Sequence, residues 1–531
     1  MEKYRLFSEN QWMFPDDEVT AFATELAKLD LPRGGNVMVQ VLTDVTVAKG
    51  ETVSLRVENA NGIHVQVYQM VPVHIHRNSA PDGISNTTDN PEEVKDFVSR
   101  MAPFDVYDAL APVNGVCRYA GRLALGIRLT ACREMLPCTH EMKVVITVAG
   151  NCFEVPLTAT VHKAIIPPMQ ESKLAVVNWV YPSWTQKFCG DDYYSDAYWN
   201  KFREIMSHLV DIRNTHFSLA ITRTYNPDIV IRDENGKIVD FDISNIEKSL
   251  QIADEFGFQK LYGPYIARWK HWEDAELYLL WGSEDNTEVT TLEAYRQMKI
   301  FLARIREMVE RNGWQDKYIQ PLLDEPQFYN ATAYRILAGV VREIYPELVI
   351  HDPVEIYNIP GAIHIACVKQ AIYEKYLAEF QALQAEGQRM TYYSCGFPAG
   401  RMMNRVLDLP VTVGRLSFWM CHKYNFEGFL HWGYHVEGNI RNSNHLDKMV
   451  PGNQCIVYHE DGEYWESLRS NNQRAGAEDW ELLAIIGAKK PELMQELIAR
   501  GCRTFEDYEM DWQVVESIRK DILLEADRCM S

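Results

Sequence analysis

The stretch Tyr318-Ile319-Gln320-Pro321-Leu322-Leu323-Asp324-Glu325-Pro326 reads as a buried strand that stops on two acids and a proline. Proline cannot continue a central strand, because it lacks the N–H that a ladder needs. The acids therefore belong at the strand's C-terminal end. In a β/α barrel that end is the mouth where chemistry is done. Within a regular strand, neighbouring side chains point to opposite faces. Past the strand's end that alternation relaxes, and both acids can face one ligand.

Working outward from this strand, seven more apolar runs alternate with helical segments. Leu174 to Tyr181, His216 to Arg223 and Phe258 to Tyr262 precede it; Leu348 to His351, Ala362 to Cys367, Met390 to Cys395 and Gly428 to Trp432 follow it. Between the third and fourth runs, Tyr295, Met298, Leu302, Ile305 and Val309 recur at three- and four-residue steps, which predicts an amphipathic helix over 292–312. Residues 197–212 and 369–386 behave similarly. Strands alternating with helices imply a parallel sheet, and eight of them imply a closed barrel. The predicted class is therefore α/β, with a (β/α)8 TIM-like barrel over 172–476.

The flanks have a different grammar. Residues 1–165 are β-rich: Val37-Met38-Val39-Gln40-Val41, Thr52 to Glu58, Val65 to Tyr68 and Lys143 to Val148 are short runs with a period of two. Lys49-Gly50 and Asn61-Gly62 supply turns between them. Short strands with turn signals predict an N-terminal antiparallel β-sandwich. Ile166-Pro167-Pro168 reads as the linker into the barrel. After about residue 477, Trp480, Leu482, Leu483, Ile486, Leu493, Leu497 and Ile498 predict a C-terminal helical cap over 477–531.

Composition narrows the function. A chain of 531 residues is too long for one ordinary domain. Its net charge of −21 argues against nucleic acid, which needs a basic footprint, and against an anionic membrane surface. The opening residues Met1 to Asn10 lack an apolar core of signal-peptide length, and no run of membrane-spanning length occurs. The expectation is a cytoplasmic protein. Eleven scattered cysteines without a Cys-x-x-Cys pair predict free thiols in a reducing compartment.

The chain carries no phosphate-cradling glycine loop, no Gly-x-Ser-x-Gly elbow and no His-Glu-x-x-His helix. His216, His351, His364, His431 and His435 fall near predicted strand ends, but each reads more simply as a hydrogen-bonded core or rim histidine, so neither a metal nor any other cofactor is expected. What does gather at the strand ends is aromatic and polar density: Asn178-Trp179-Val180-Tyr181, Tyr262-Gly263-Pro264-Tyr265, Tyr392-Tyr393 and His431-Trp432-Gly433-Tyr434-His435. Aromatic faces beside acids and amides suit a sugar, which has an apolar ring face and a polar rim. Two carboxylates in different settings can divide labour, one protonated and one ionised, and glycosidic bond cleavage requires that division.

The residues named as pocket walls and rim are Trp179, Tyr262, Tyr393, Trp432 and His435. Arg223 and Asn330 are candidates for hydroxyl or acetamido contacts. Asp352 and Glu355, after the fifth run, are candidates for a second carboxylate if the sugar lacks an acetamido group. A non-catalytic carbohydrate-binding protein is the remaining reading, and the intact acid doublet counts against it.

Leu322-Leu323-Asp324-Glu325-Pro326 after a strand resembles the catalytic motif of glycoside hydrolase family 123, β-N-acetylgalactosaminidases within a wider group called domain of unknown function 4091. Tyr107-Asp108-Ala109-Leu110-Ala111-Pro112 is similar to the family's N-terminal Tyr-Pro-Asp-x-Leu-x-Pro signature. Gly452 to Tyr458, Glu466-Ser467-Leu468-Arg469 and Arg474 to Leu483 resemble its closing pattern. The resemblance implies a β-sandwich, a β/α barrel and substrate-assisted retaining hydrolysis of a terminal β-linked N-acetylhexosamine. It implies that Glu325 is the general acid and then base, and that Asp324 orients the acetamido group. The expected partner is a glycan or glycoconjugate substrate. The chain departs from the pattern at Asn453-Gln454, at Tyr458-His459-Glu460, at Ser470 after Leu468-Arg469, and at Trp480. These changes are expected in loops that shape the sugar pocket.

Overall fold

The computed structural model describes residues 3–19, 27–81, 87–220, 229–281, 287–440 and 449–530. The chain groups into two compact units. One holds residues 173–394 and 425–436; the other holds 1–172, 395–424 and 437–531.

The first unit is the predicted barrel. Its eight strands are Ala175–Val180, His216–Leu219, Lys260–Tyr262, Tyr318–Gln320, Val349–Val354, Ile365–Lys369, Arg389–Ser394 and Gly428–His431, closed in that order. All eight fall where the apolar runs predict them. Every pairing is parallel, including the seam between the first and last strands. The seam depends on Gly428, since a Cβ there would stand 1.9 Å from the carbonyl oxygen of Ala175. The predicted helix is Leu292–Asn312. Thr291 caps its first turn through the N–H of Ala294, and Gly313 closes it in a left-handed conformation. Of its predicted stripe, Met298, Leu302, Ile305 and Val309 are buried. The segment 197–212 is the helix Asp196–Asp211, and 369–386 is two short helices, Gln370–Lys375 and Leu377–Ala385. One (β/α) step is irregular: residues 355–364 return from the fifth strand to the sixth as a loop, burying Ile356, Ile359 and Ile363.

The second unit contains the sandwich. Its larger sheet runs Tyr4–Ser8, Asn36–Val47, Gly121–Thr130, His64–Ile75, Phe104–Pro112, Glu463–Ser467 and Tyr458–Glu460. The smaller runs Lys28–Arg33, Asn151–Ile165, Cys138–Val148 and Val53–Glu58. Val39, Val41, Leu125 and Ile127 of the first meet Val144, Ile146, Val155 and Leu157 of the second in one core. The larger sheet's other face is also covered, with Leu42, Met70, Val73 and Leu110 packed among Leu407, Val411, Trp465 and Leu468. Three C-terminal helices follow, Leu468–Gly487, Pro491–Gly501 and Trp512–Cys529.

The segment boundaries read from sequence and the compact units do not coincide. Two strands and the start of the helix Leu468–Gly487 lie before residue 477, yet they belong with the sandwich. Of the departures from the family pattern, Tyr458-His459-Glu460 lie in a strand and Ser470 and Trp480 in this helix, while Asn453-Gln454 lie in the turn before them. Arg469 pairs with Asp108 at 2.9 Å, and Arg415 with Asp479 at 2.6 Å, all four buried. None of the eleven cysteines forms a disulfide among the described residues, and six of them are buried. Among the described residues, no helix is long and apolar enough to cross a membrane.

Candidate active site

The doublet stands four residues past the last ladder position of the fourth strand, Gln320. Side chains replace the missing ladder. The carboxylate of Asp352 accepts the N–H groups of Leu322 at 2.7 Å and Leu323 at 3.4 Å through Oδ1, and the Tyr334 hydroxyl at 2.7 Å through Oδ2. The Leu322 carbonyl accepts from Ile266 and Ala267. Gln320 Nε2 donates to the carbonyls of Pro264 and Pro321, and Tyr318 Oη donates to Gln320 Oε1. Gly263 makes room for that tyrosine; a Cβ there would overlap its hydroxyl at 1.8 Å.

The acids themselves are fixed through their backbone. The Trp269 indole donates to the Asp324 carbonyl at 3.0 Å, and Glu325 N–H donates to the Pro353 carbonyl at 3.2 Å. Glu325 has φ of +53°, in the left-handed region. For a residue with a Cβ this costs about 1–2 kcal/mol, and such strain persists only where the surroundings impose it. Its geometric effect is to let consecutive side chains diverge.

Glu325 faces the fifth to seventh strands. Its Oε1 accepts the Tyr393 hydroxyl and lies 4.0 Å from Lys369 Nζ. Lys369 Nζ is also 2.5 Å from Glu355 Oε1, and Gln327 Nε2 donates to the other oxygen of Glu355 at 3.1 Å. The charge of Asp324 acts on Tyr181 and Tyr265, which follow the first and third strands. Burial lifts both phenols well above their ordinary range, and the charge of Asp324 adds to the lift. The Trp179 ring stands edge-on to both, at 6.2 and 5.9 Å between centroids. The mouth thus holds one carboxylate among a phenol and an ammonium, and a second among aromatic rings.

Of the residues singled out from sequence, Asp324, Glu325, Tyr393 and Trp179 come together here. Trp432 is half-buried at the end of the eighth strand, stacked on His431. Arg223 lies outside the described residues. Four others need correction. Tyr262 is barrel core, not rim: its hydroxyl meets His351 Nδ1 at 2.5 Å and His216 Nδ1 at 3.5 Å, and His351 Nε2 meets Thr391 Oγ1 at 2.8 Å. Burial pushes both histidines down to about 3, so this plug is neutral. His435 is also fully buried; its Nε2 accepts from Tyr181 N–H at 2.9 Å and so positions the end of the first strand. Asn330 is buried as a brace, accepting Gln327 N–H at 2.8 Å and donating to the Asp274 carbonyl at 3.3 Å. Asp352, 0% exposed, supports the doublet from beneath and cannot touch a sugar. The strand-end histidines His364 and His431 accept backbone N–H groups of Ile350 and Gly433.

Lys369 is a member of the site that the sequence did not point to. The sixth apolar run ends at Cys367, and the strand continues to Lys369. A lone cation closing an apolar run was the available signal.

Comparisons with known proteins bear on the family and the fold. The family described as glycoside hydrolase 123, catalytic domain, matches residues 179–486, well over half of the chain. Among solved structures, a family 123 glycoside hydrolase from Clostridium perfringens superposes with a TM-score of 0.74 at 13% identity, covering 99% of this chain and 98% of that one. A β-glucuronidase from Parabacteroides merdae gives a TM-score of 0.33 at 9% identity, covering 84% of this chain and 49% of that one. An endo-β-1,4-mannanase from Thermotoga petrophila gives 0.33 at 9%, covering 59% and 78%. No curated protein matches the chain in sequence.

Proposed function

The chain belongs to glycoside hydrolase family 123, and on that footing we propose that it is a retaining exo-glycosidase acting on a terminal β-linked N-acetylhexosamine, GalNAc first, with the substrate's own 2-acetamido group as nucleophile. The observation that carries this reading is a pair of consecutive carboxylates at one barrel mouth, Glu325 bonded by the Tyr393 hydroxyl and 4.0 Å from Lys369, Asp324 close enough for its charge to act on Tyr181 and Tyr265. Such a pair can serve the leaving group and the acetamido group separately.

In the first step the acetamido oxygen attacks C1 and the glycosidic C1–O bond breaks. Glu325 gives its proton to the departing oxygen. Asp324 accepts a hydrogen bond from the acetamido N–H and stabilises the positive charge of the oxazolinium intermediate. In the second step Glu325, now ionised, takes a proton from water as the water attacks C1, and the acetamide is regenerated. Two inversions leave the anomeric configuration retained. The Clostridium perfringens relative is described in terms of glycolipid glycan hydrolysis, so a glycan of that kind is the first natural substrate to try.

A matched pair of aryl glycosides, β-GalNAc and β-Gal, tests the reading. The wild type should hydrolyse only the acetamido sugar. General acid–base assistance contributes about 10²–10⁴-fold, so Glu325→Gln should lose that much on poor leaving groups and less on activated ones. Asp324→Asn should lose activity whatever the leaving group, since its role precedes departure. Equal, mild effects of both changes would sink the mechanism. A second reading, a sugar without an acetamido group and Glu355 as the second carboxylate, is favoured by the closeness of Glu355 to the Glu325–Lys369 pair. It predicts hydrolysis of the β-Gal substrate and indifference to a thiazoline mimic of the oxazoline.

A further inference from the structure

Lys369 closes the sixth strand with its ammonium between two carboxylates, 2.5 Å from Glu355 and 4.0 Å from Glu325. The three side chains are only 11–15% exposed, so solvent and salt screen them little. Both oxygens of Glu355 are engaged, one by Lys369 and the other by Gln327. Gln327 Nε2 also reaches the Glu325 carbonyl, at 3.3 Å. The backbone of the acid and the counter-charge of the lysine are therefore tied to the same amide.

This arrangement has a chemical consequence. A cation 4 Å from a carboxylate holds it ionised and lowers its pKa by roughly one to three units. Unopposed, Lys369 would leave Glu325 without the proton that a general acid must give. Glu355 opposes it. We propose that Lys369 and Glu355 act as a positioning pair whose opposed charges set the proton affinity of Glu325, letting it carry a proton before bond cleavage and exist as a base after it. This rests on the assignment of Glu325 as the acid–base group.

Among the described residues, the groups near Glu325 also include the Tyr393 hydroxyl from the seventh strand, its chain neighbour Asp324, and Cys367 of the sixth, whose thiol burial raises and the charges of Asp352 and Glu325 raise further. All of these remain when the pair is altered, so differences between variants report the pair.

Opposite charges in one pair predict opposite shifts. Glu355→Gln leaves the ammonium unopposed, so the Glu325 pKa falls and the basic limb of kcat/KM moves to lower pH by about one unit or more. Lys369→Met leaves Glu355 facing Glu325, so the limb moves to higher pH by a similar amount. The double variant returns toward wild type, and Lys369→Arg keeps the wild-type profile. The profiles are recorded on a β-GalNAc glycoside with a poor leaving group. In parallel, infrared difference titration of each background against its Glu325→Gln counterpart reads the same carboxyl without substrate. Shifts of one sign in both single variants, or no shift in either, overturn the proposal. So does loss of all turnover in Glu355→Gln on activated substrates, which would make Glu355 a reacting group. An inactive protein whose infrared titration still shows opposed shifts leaves the pair standing and withdraws the sugar assignment alone.

Discussion

At the scale of single residues, the acid that matters most for the fold of the site is one that no sugar can reach. Asp352 spends its carboxylate on Leu322, Leu323 and Tyr334, and burial raises its pKa to about 7. The unfolded chain has an ordinary value near 4. Between those values the unfolded state has released the proton while the folded state keeps it. Stability therefore falls as pH rises from about 4 to about 7, by roughly 1.4 kcal/mol per unit at most, and levels off above. Asp352→Asn keeps an acceptor for the two N–H groups and cannot ionise. Urea midpoints taken from pH 4 to 8 should lose this slope in the variant, which becomes the more stable protein at neutral pH. Asp352→Ala leaves two N–H groups buried without their acceptor, at a cost of about 1–3 kcal/mol each. It should also lower kcat by about 10²-fold, because the doublet's turn loses its anchor and a shift near 1 Å is enough. Wild-type kcat in the alanine variant would show that the ladder substitute is dispensable.

At the scale of elements, the barrel is held shut where the first and last strands meet. Gly428→Ala drives a Cβ into the Ala175 carbonyl, a backbone atom that cannot swing away. Overpacking costs about 1–3 kcal/mol where neighbours can yield, and here the effect should reach or exceed that range, read as a lower thermal midpoint. An unchanged midpoint would mean the seam can open without penalty. The eight barrel strands were legible because each is a short apolar run between Gly, Pro or polar punctuation, buried on both faces. Their ends were not: Tyr318–Gln320 stops early because Asp352 takes over its hydrogen bonds, and Ile365–Lys369 runs two residues beyond the expected end. That extension hid Lys369. Rim and core could not be told apart at Tyr262 or His435, since a strand-end aromatic pointing inward and one pointing across the mouth leave the same letters. In the sandwich, Asn151–Ile165 alternates cleanly yet contains Pro156, which argues against an interior strand. The structure resolves the conflict. Pro156 pairs with Lys143 on one side, and the strand Lys28–Arg33 joins the other side only from Thr158 onward. Phe104–Pro112 was missed because Asp and Ala are poor strand formers, rescued here by burial on a sheet covered on both faces.

At the scale of the whole molecule, the chain enters each compact unit more than once, so neighbours in sequence are poor guides to neighbours in space. The two stretches that resemble family signatures outside the barrel illustrate this. Asp108, within Tyr107 to Pro112, receives Arg469 Nε at 2.9 Å, Arg469 N–H at 3.2 Å and the Tyr458 hydroxyl at 2.6 Å, although Arg469 is 361 residues away in the chain. Around them the strand Glu463–Ser467 joins Phe104–Pro112 through Glu466 opposite Leu110 and Ser467 opposite Ala109. The letters that mark the family here are thus explained by burial of charge within the sandwich sheet. Removing one partner of a buried ion pair strands the other in a low dielectric, at a cost of about 3–5 kcal/mol. Arg469→Met and Asp108→Asn should each do so, and the double variant should cost less than the two together, because contacting residues are not additive. Hydrogen exchange at Phe104–Pro112 and Glu463–Ser467 reads this locally: each single variant should speed exchange in both strands, and the double variant should restore part of the protection. Additive losses, or faster exchange confined to one strand, would mean that the sheet's late strands hold their place by packing of Trp465 and Leu468 and that the ion pair is incidental to it.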